Sequence, residues 1–529
     1  MFSVMVLLAA ALRVVVLLGY PPAMFFNDSY NYMTDAATGV PDVVRANGYP
    51  FFLRLLLPAH NLSVVTGLQA LMGLAMGVTI YALLRRRGLP WWGGCVLALP
   101  VLFDVWELQL EHMVAADTLF ITLVVAAIVL MCWWDRPPVW AIALAGLLTG
   151  YAATVRSVGE PMLVLLVIAV LARKMGWRRI VAVIAAGVVP IVGYMAWFHS
   201  SYGSFALDRA SGTFLYSRVS SFADCAKIDP SPSLRVLCDP RPPGQRESSQ
   251  EYLWANDTPL GELTGTNNVN RFTPHIEYLT SRFAEHAIIA QPLDYVAVVA
   301  DDTWRTFGWT RFRSDLAGSG DKFRFEDTTE PVPGWVPGDK ANRQAAEAFG
   351  GASLGKPAVV RPWSFLLEDY EKQAFLRGPF LLALLLIGLW GVIMGVRRRS
   401  RARPEWGIGG LGLLPWLVGA ALVILPPMTA GFSYRYSLAA VPAICLAAGL
   451  AFAGRGRLRL PGRPGPAPAT ETGATETGAT ETGAEAMISE GRVAEGRVAE
   501  AKVAVDVPEG SRPPASPAAG STGPRPAAE

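Results

Sequence analysis

The chain has 529 residues, of which 52% are hydrophobic and 17% charged, with a mean hydropathy of +0.32. A soluble globular chain carries about 25% charge, so this composition does not fit one, and most of the chain is expected in lipid. With 46 basic and 43 acidic residues, the formal net charge of +3 is too small to point to nucleic acid; where the charges sit says more than their sum.

Ten apolar runs are predicted as spans, at 3–20, 62–84, 91–109, 113–134, 138–155, 158–172, 180–198, 378–396, 407–426 and 437–453. Several are shorter than the roughly 20 residues a span needs, so their boundaries are soft. The first has no basic start, and no small-residue cleavage site precedes Asp28. It reads as an uncleaved span with Arg13 facing protein or snorkelling, and the missing basic start leaves an upstream N-terminus open.

Orientation follows from the basic residues. One set of loops holds Arg85 to Arg87, Arg136, Arg173, Lys174, Arg178, Arg179, Arg397 to Arg399, Arg401, Arg403, Arg455, Arg457 and Arg459; the alternate short loops hold only Arg45, Arg54, Arg156 and Arg435. The rich set is expected in the cytoplasm, with both termini. The loops at 21–61, 107–112, around 156, 199–377 and 427–436 are expected on the outer face of the cell membrane.

Residues 1–198 thus form an N-terminal membrane module, and 378–457 the C-terminal spans. Between them, 199–377 is too long for a connecting loop and reads as a mixed exoplasmic domain of roughly 180 residues. It holds Pro/Gly-rich stretches and a helical piece, Phe272 to Phe307, interrupted at Pro292. Phe283, Ala287, Ile288, Tyr295, Val298, Val299 and Trp304 recur there at helical spacing, and core packing is expected for them. Cys225 and Cys238 share this oxidising compartment across a short gap, so a structural disulfide is expected. Cys95, Cys132 and Cys445 fall in or beside apolar runs and read as packing residues. No CxxC pair or Cys/His cluster suggests zinc. From 458 to 529 the composition collapses to Pro, Gly, Ala, Thr and Glu, with a tandem ATETG repeat from Ala469. Such a tail cannot bury a core and is expected to be disordered.

The expected outer face collects the polar groups that could do chemistry. Asp28 follows the first span inside Phe25-Phe26-Asn27-Asp28-Ser29-Tyr30-Asn31-Tyr32-Met33-Thr34-Asp35. Asp28 and Asp35 are seven apart and would share a helix face, with Tyr32 between them. Glu107, Glu111 and His112 close the third run, and Asp117 stands in the fourth. A solvated acidic surface accounts for Glu107 and Asp35. It does not account for Asp117, since an unpaired carboxylate in an apolar run costs about 2.5–3.5 kcal/mol on insertion scales. Arg156 and Tyr434-Arg435-Tyr436 complete the set. Snorkelling to headgroups would explain Arg156 and Arg435; the sharper reading is that their planar forks hold an anion such as phosphate. A carboxylate can take the proton of an acceptor hydroxyl, and arginines can stabilise charge developing on a leaving phosphate. There is no Walker A loop, GxSxG, HExxH or GxGxxG, so a soluble nucleotide donor is not supported and a membrane-borne donor is favoured.

These motifs resemble those of GT-C superfamily glycosyltransferases, which include protein O-mannosyltransferases and the aminoarabinose transferases that modify lipid A. ALRVVVLLGYPPAMFFNDSYNYMTDA is similar to the first span and loop, RANGYPFFL to the following Gly-Tyr-Pro segment, and EHMVAADTLFITLVV to the acidic second-loop motif. TGYAATVRSVGEPML and SYRYSLAAVPAICLAAGL resemble two later motifs, and all five run in family order. The resemblance implies a helical polytopic fold and inverting transfer from a polyprenyl-phosphate-linked sugar outside the cytoplasm. Asp28 would be the catalytic base and Asp117 or Glu111 the second acid. Arg156 and Arg435 would hold the donor phosphate, with Tyr32, Tyr436 and His112 lining the site. Some members use a divalent metal ion near these acids. The first loop departs from the family in reading Asn-Asp-Ser where the O-mannosyltransferases have Asp-Glu, and the 199–377 region resembles no domain. The acceptor, an envelope glycan, lipid or protein, stays open. The alternatives are a transporter or flippase of a lipid-linked saccharide and a noncatalytic scaffold that binds envelope polymer.

Overall fold

A computed structural model describes residues 1–265, 268–310, 324–325, 340–351, 356–397 and 409–452. The expected tail at 458–529 lies outside the described residues. Helices dominate: α1 (Phe2–Gly19), α2 (Ser29–Thr38), α3 (Gly48–Leu56), α4 (Leu62–Arg86), α5 (Trp91–Phe103), α6 (Val105–His112), α7 (Asp117–Trp133), α8 (Val139–Val155), α9 (Gly159–Ala172) and α10 (Trp177–Tyr202) form the first part. Then come α11 (Ser211–Ser220), α12 (Cys225–Ile228), α13 (Ser249–Trp254), α14 (Pro259–Thr264), α15 (Pro274–Ala290), α16 (Pro292–Arg305), α17 (Lys340–Ala348) and α18 (Trp363–Glu371). The last are α19 (Gly378–Arg397), α20 (Leu413–Thr429), α21 (Tyr434–Leu438) and α22 (Val441–Leu450).

Each apolar run contains a helix. Four of them, α1, α4, α10 and α19, are long and apolar enough to cross a membrane, and the bent pair α5–α6 makes a fifth if it is counted as one span. α7, α8, α9, α20 and the pair α21–α22 are shorter apolar helices. One large core of buried Leu, Val, Ile, Ala and Phe side chains joins α4, α5, α7, α8, α9, α10, α19, α20 and α22, and α1 packs through two smaller clusters. Small residues let the helices approach: a Cβ on Gly150 would lie 2.0 Å from the Gly187 carbonyl oxygen of α10, so a side chain there would force α8 and α10 apart. The basic residues near helix ends neutralise free carbonyls. Arg173 donates to the Met131 carbonyl at 2.6 Å, and Arg87 donates through Nε to the Cys132 carbonyl at 2.7 Å.

Two expectations are corrected. The run 91–109 is not one continuous helix, because α5 ends at Phe103 and α6 leaves it at 48°. Asp104 takes an extended conformation, and its side chain caps α6 by accepting from the Trp106 N–H at 2.9 Å. The carbonyls freed at the end of α5 are met by long donors: Arg13 reaches the Leu102 oxygen at 3.0 Å, and the Tyr370 hydroxyl donates to Phe103. Residues 107–112 are therefore no exposed turn. They are α6, and Glu107, Glu111 and His112 are all buried, which also removes the solvated-surface reading of Glu107.

The second correction concerns 199–377, expected to be mixed. Among the described residues it is helical and irregular without a strand; the chain's isolated bridge joins Met24 and Met113. It builds a core of its own from Tyr216, Tyr252, Phe283, Ala287 and their neighbours. The helical piece breaks where Pro292 stands, into α15 and α16. Cys225 and Cys238 are disulfide-bonded with their Cα atoms 6.0 Å apart, closing a loop against this core. Core packing does not extend to Trp304, which is exposed.

Arg13 faces protein rather than snorkelling. Its guanidinium donates to Glu111 at 2.6 Å, and both are buried. Breaking a buried pair by removing one partner costs about 3–5 kcal/mol, because the other charge is stranded. Arg13→Ala is therefore expected to lower the thermal unfolding temperature in detergent, and adding Glu111→Gln to restore much of it. Equal unfolding of Arg13→Ala and the parent protein would show that the pair contributes nothing.

Candidate functional site

Asp28 owes its position to a stitched loop. Backbone bonds run from the Met24 N–H to the His112 carbonyl at 2.9 Å and from the Val114 N–H to the Met24 carbonyl at 3.0 Å. The Ser29 hydroxyl donates to the Val114 carbonyl at 2.7 Å and accepts from the Phe26 N–H at 2.8 Å. This lays residues 24–29 along 112–114, a few residues before Asp117 opens α7. Asp28 occupies the N-cap of α2, yet its side chain makes no capping bond, which leaves both oxygens for other partners.

Those partners are two arginines, Arg45 and Arg435, from different parts of the chain. Arg45 Nη2 meets Asp28 Oδ1 at 2.8 Å, and Arg435 Nη1 meets Asp28 Oδ2 at 3.2 Å. Arg435 also donates through Nε to Asp117 Oδ2 at 2.7 Å, and Arg156 pairs with Asp117 Oδ1. Three guanidiniums thus engage all four oxygens of two carboxylates, with Arg435 bridging both. Aromatic faces support the cations: the Arg435 guanidinium lies 4.8 Å from the Phe26 ring centroid, and that of Arg156 lies 5.2 Å from Tyr436. Such stacking favours arginine over lysine.

Burial alone would push the Asp28 carboxyl up; the Arg45 and Arg435 guanidiniums outweigh it and hold the group below its ordinary range. Tyr32 lies beside it in α2, buried, with its ring edge-on to Tyr49 at 5.2 Å. Burial and the neighbouring Asp28 charge push the Tyr32 phenol up. The Gly-Tyr-Pro segment supports this corner. A Cβ on Gly48 would come within 2.6 Å of the Thr154 backbone at the end of α8. The Tyr151 hydroxyl donates to the Gly48 carbonyl at 2.8 Å, and the Tyr49 hydroxyl donates to Gln69 at 2.7 Å.

Two expected site residues lie elsewhere. Glu111 belongs to the Arg13 pair, and His112 Nε2 meets the Tyr20 carbonyl at 2.7 Å, so both hold α1 and its C-terminal end to α6. Arg45 is the residue the motifs did not single out as a partner of Asp28; it opens RANGYPFFL. Among the described residues, no three His, Cys, Asp or Glu side chains are grouped to hold a metal ion. The carboxylate oxygens that could serve are engaged by arginines, so the donor set does not fit a metal. A cavity of about 40 Å³ lies beside α21, lined by Trp106, Tyr434 and Ser437 among others. A water's share of liquid volume is about 30 Å³, whereas ligand pockets span about 300–1,000 Å³. Asp28, Arg45, Asp117, Arg156 and Arg435 do not line that cavity, and their three guanidiniums exceed their two carboxylates by one formal positive charge.

Asp35 does not join the arginines; it accepts from the Asn47 side chain at 3.0 Å. Burial pushes its carboxyl up to about 8, and the Asp42 charge adds to this. An unfolded aspartate titrates at about 3.9, so between these values the folded state holds the extra proton. Stability is then lost as pH rises from about 4 to about 8. Asp35→Asn is expected to flatten that fall in unfolding temperature, measured in detergent at pH 5 and pH 8. Parallel falls in variant and parent would refute the assignment.

No protein-family model, no curated protein and no solved structure matches the chain.

Proposed function

We propose that the protein is an integral-membrane glycosyltransferase of the GT-C type. It would move a sugar from a polyprenyl-phosphate donor to a hydroxyl of an envelope glycan, lipid or protein on the outer face of the cell membrane. The arrangement would have about ten spans, both termini in the cytoplasm and a disordered C-terminal tail. The observation that carries the reading is the convergence of Asp28, Asp117, Arg156 and Arg435, separate in sequence, on one ionic cluster.

In the reaction, the acceptor oxygen bonds to the anomeric carbon as the bond from that carbon to the donor phosphate breaks. The acceptor proton passes to Asp28, and the leaving phosphate takes the bonding electrons. Arg435, Arg156 and Arg45 would stabilise the charge that develops there. Paired in this way Asp28 is a weak base, because two guanidiniums hold its carboxylate. A donor phosphate competes for the same guanidiniums, so donor binding would free Asp28 and strengthen it. Donor before acceptor is the order this implies.

Undecaprenyl phosphate, the product common to donors of any sugar on that lipid, is the probe for the donor site. Saturable binding to the protein in nanodiscs, displaced by other polyprenyl phosphates but not by free phosphate, is the expected result. Equal displacement by inorganic phosphate would remove the lipid-donor reading.

A further inference from the structure

The 211–305 unit carries its own core, and α16 packs on it with one side only. Tyr295 and Val298 face that core, and Asp302 is paired with Arg218 of α11 at 2.9 Å. The opposite side is an apolar stripe turned outward. Leu293 is 81% exposed, Val296 60% and Trp304 67%, with Ala297 and Ala300 between them also exposed. The spacing i, i+3, i+4, i+7 and i+11 places these residues on one face. A surface helix of a soluble unit has the reverse arrangement, and an exposed stripe of this kind marks a contact surface.

The position of α16 says what covers it. The Tyr295 hydroxyl donates to the Met428 carbonyl at the end of α20 at 3.0 Å. Beyond the helix, the Trp309 ring meets that of Phe380 at 6.1 Å, in the first turn of the long apolar helix α19. The Gly378 N–H donates to the Gly308 carbonyl at 3.2 Å, and the Arg377 guanidinium stands 5.6 Å from the Trp309 ring. Phe380 and Leu386 are themselves exposed on α19. The stripe is therefore continuous with the lipid-facing surface of a span, at the level where that span ends. Tryptophan and arginine at that level are the residue types that anchor to headgroups.

We propose that α16 lies in the interfacial zone of the bilayer, with Leu293, Val296, Ala300 and Trp304 in lipid, so that the 211–305 unit rests on the membrane. An amphipathic helix of this kind sits about 5–10 Å into the headgroup and acyl boundary. The inference is independent of the glycosyltransferase reading.

The test uses the full chain in vesicles of phosphatidylethanolamine and phosphatidylglycerol. The free cysteines Cys95, Cys132 and Cys445 are buried, so a nitroxide can be directed to Leu293→Cys or Val296→Cys, either of which suffices. Glu285→Cys, on the exposed polar side of α15, reports water, and Leu386→Cys on α19 reports lipid. Power saturation with oxygen and with a water-soluble nickel chelate then reads depth. Labels at 293 and 296 are expected to favour oxygen several-fold over the label at 285 and to resemble the label at 386. A water-like ratio at both positions would overturn the proposal. So would spin–spin broadening that grows with protein density, which would mean that a second copy covers the stripe.

Discussion

Asp28→Asn is expected to abolish sugar transfer while the protein still inserts, folds and binds donor lipid. A positioned general base contributes about 10²–10⁴-fold, and asparagine cannot take a proton from the acceptor. The fold should survive because neither arginine is stranded: Arg45 stands 3.9 Å from Asp42, and Arg435 keeps Asp117 at 2.7 Å. Donor lipid should bind at least as well as to the parent protein, since one carboxylate no longer competes with phosphate for the two guanidiniums. The loss should therefore lie in kcat, with no rise in KM for donor. A variant with the parent's turnover would end the assignment of Asp28 as base. A variant that lost donor binding in proportion to activity would make Asp28 a positioning residue for Arg45 and Arg435.

Arg435→Ala is expected to do the opposite, costing donor use and stability together. One guanidinium bridges two buried carboxylates there, at 2.7 and 3.2 Å. Its removal leaves Asp117 with Arg156 and Asp28 with Arg45, both half-buried. Loss of one partner from a buried pair costs about 3–5 kcal/mol, which should appear as a lower unfolding temperature. Adding Asp117→Asn should recover stability without recovering activity. Arg435→Lys should not rescue, because one ammonium lacks the two-sided fork that reaches both carboxylates. Arg156→Ala should weaken donor use with a smaller effect on stability, since Asp117 retains Arg435. Unchanged donor kinetics in both alanine variants would remove the phosphate-clamp idea.

Much of this was legible in the sequence for a physical reason. Apolar runs report burial in lipid or core, and every run contains a helix. Asp117 and Arg435 stood out as charges in or beside apolar runs, where an unpaired charge is costly, and they pair with each other. The break of the third run was harder to see, although Pro100 and Asp104 both lie in it. Composition does not say which carbonyls a break frees or what donor will meet them; the donor here is Arg13, from a different helix. The pairing of Glu111 is hidden for the same reason, since its partner lies 98 positions away. The contact of Arg45 with Asp28 depends on the fold of 39–47 back toward α2, which no periodicity marks. Trp304, expected in the core with Tyr295 and Val298, faces outward on α16, because helical spacing identifies a stripe and not what covers it.

Sugar transfer itself is tested most directly by following donor lipid and sugar separately in vesicles containing the purified protein. Undecaprenyl-phosphate hexoses and pentoses, labelled in both lipid and sugar, would be supplied with an envelope extract as acceptor. Asp28→Asn would serve as the matched control. The expected result is release of free undecaprenyl phosphate with sugar moved to acceptor by the parent protein, and neither by the variant. Movement of the intact sugar-lipid across the bilayer with no phosphate released, at equal rates in both proteins, would contradict the glycosyltransferase and identify a transporter.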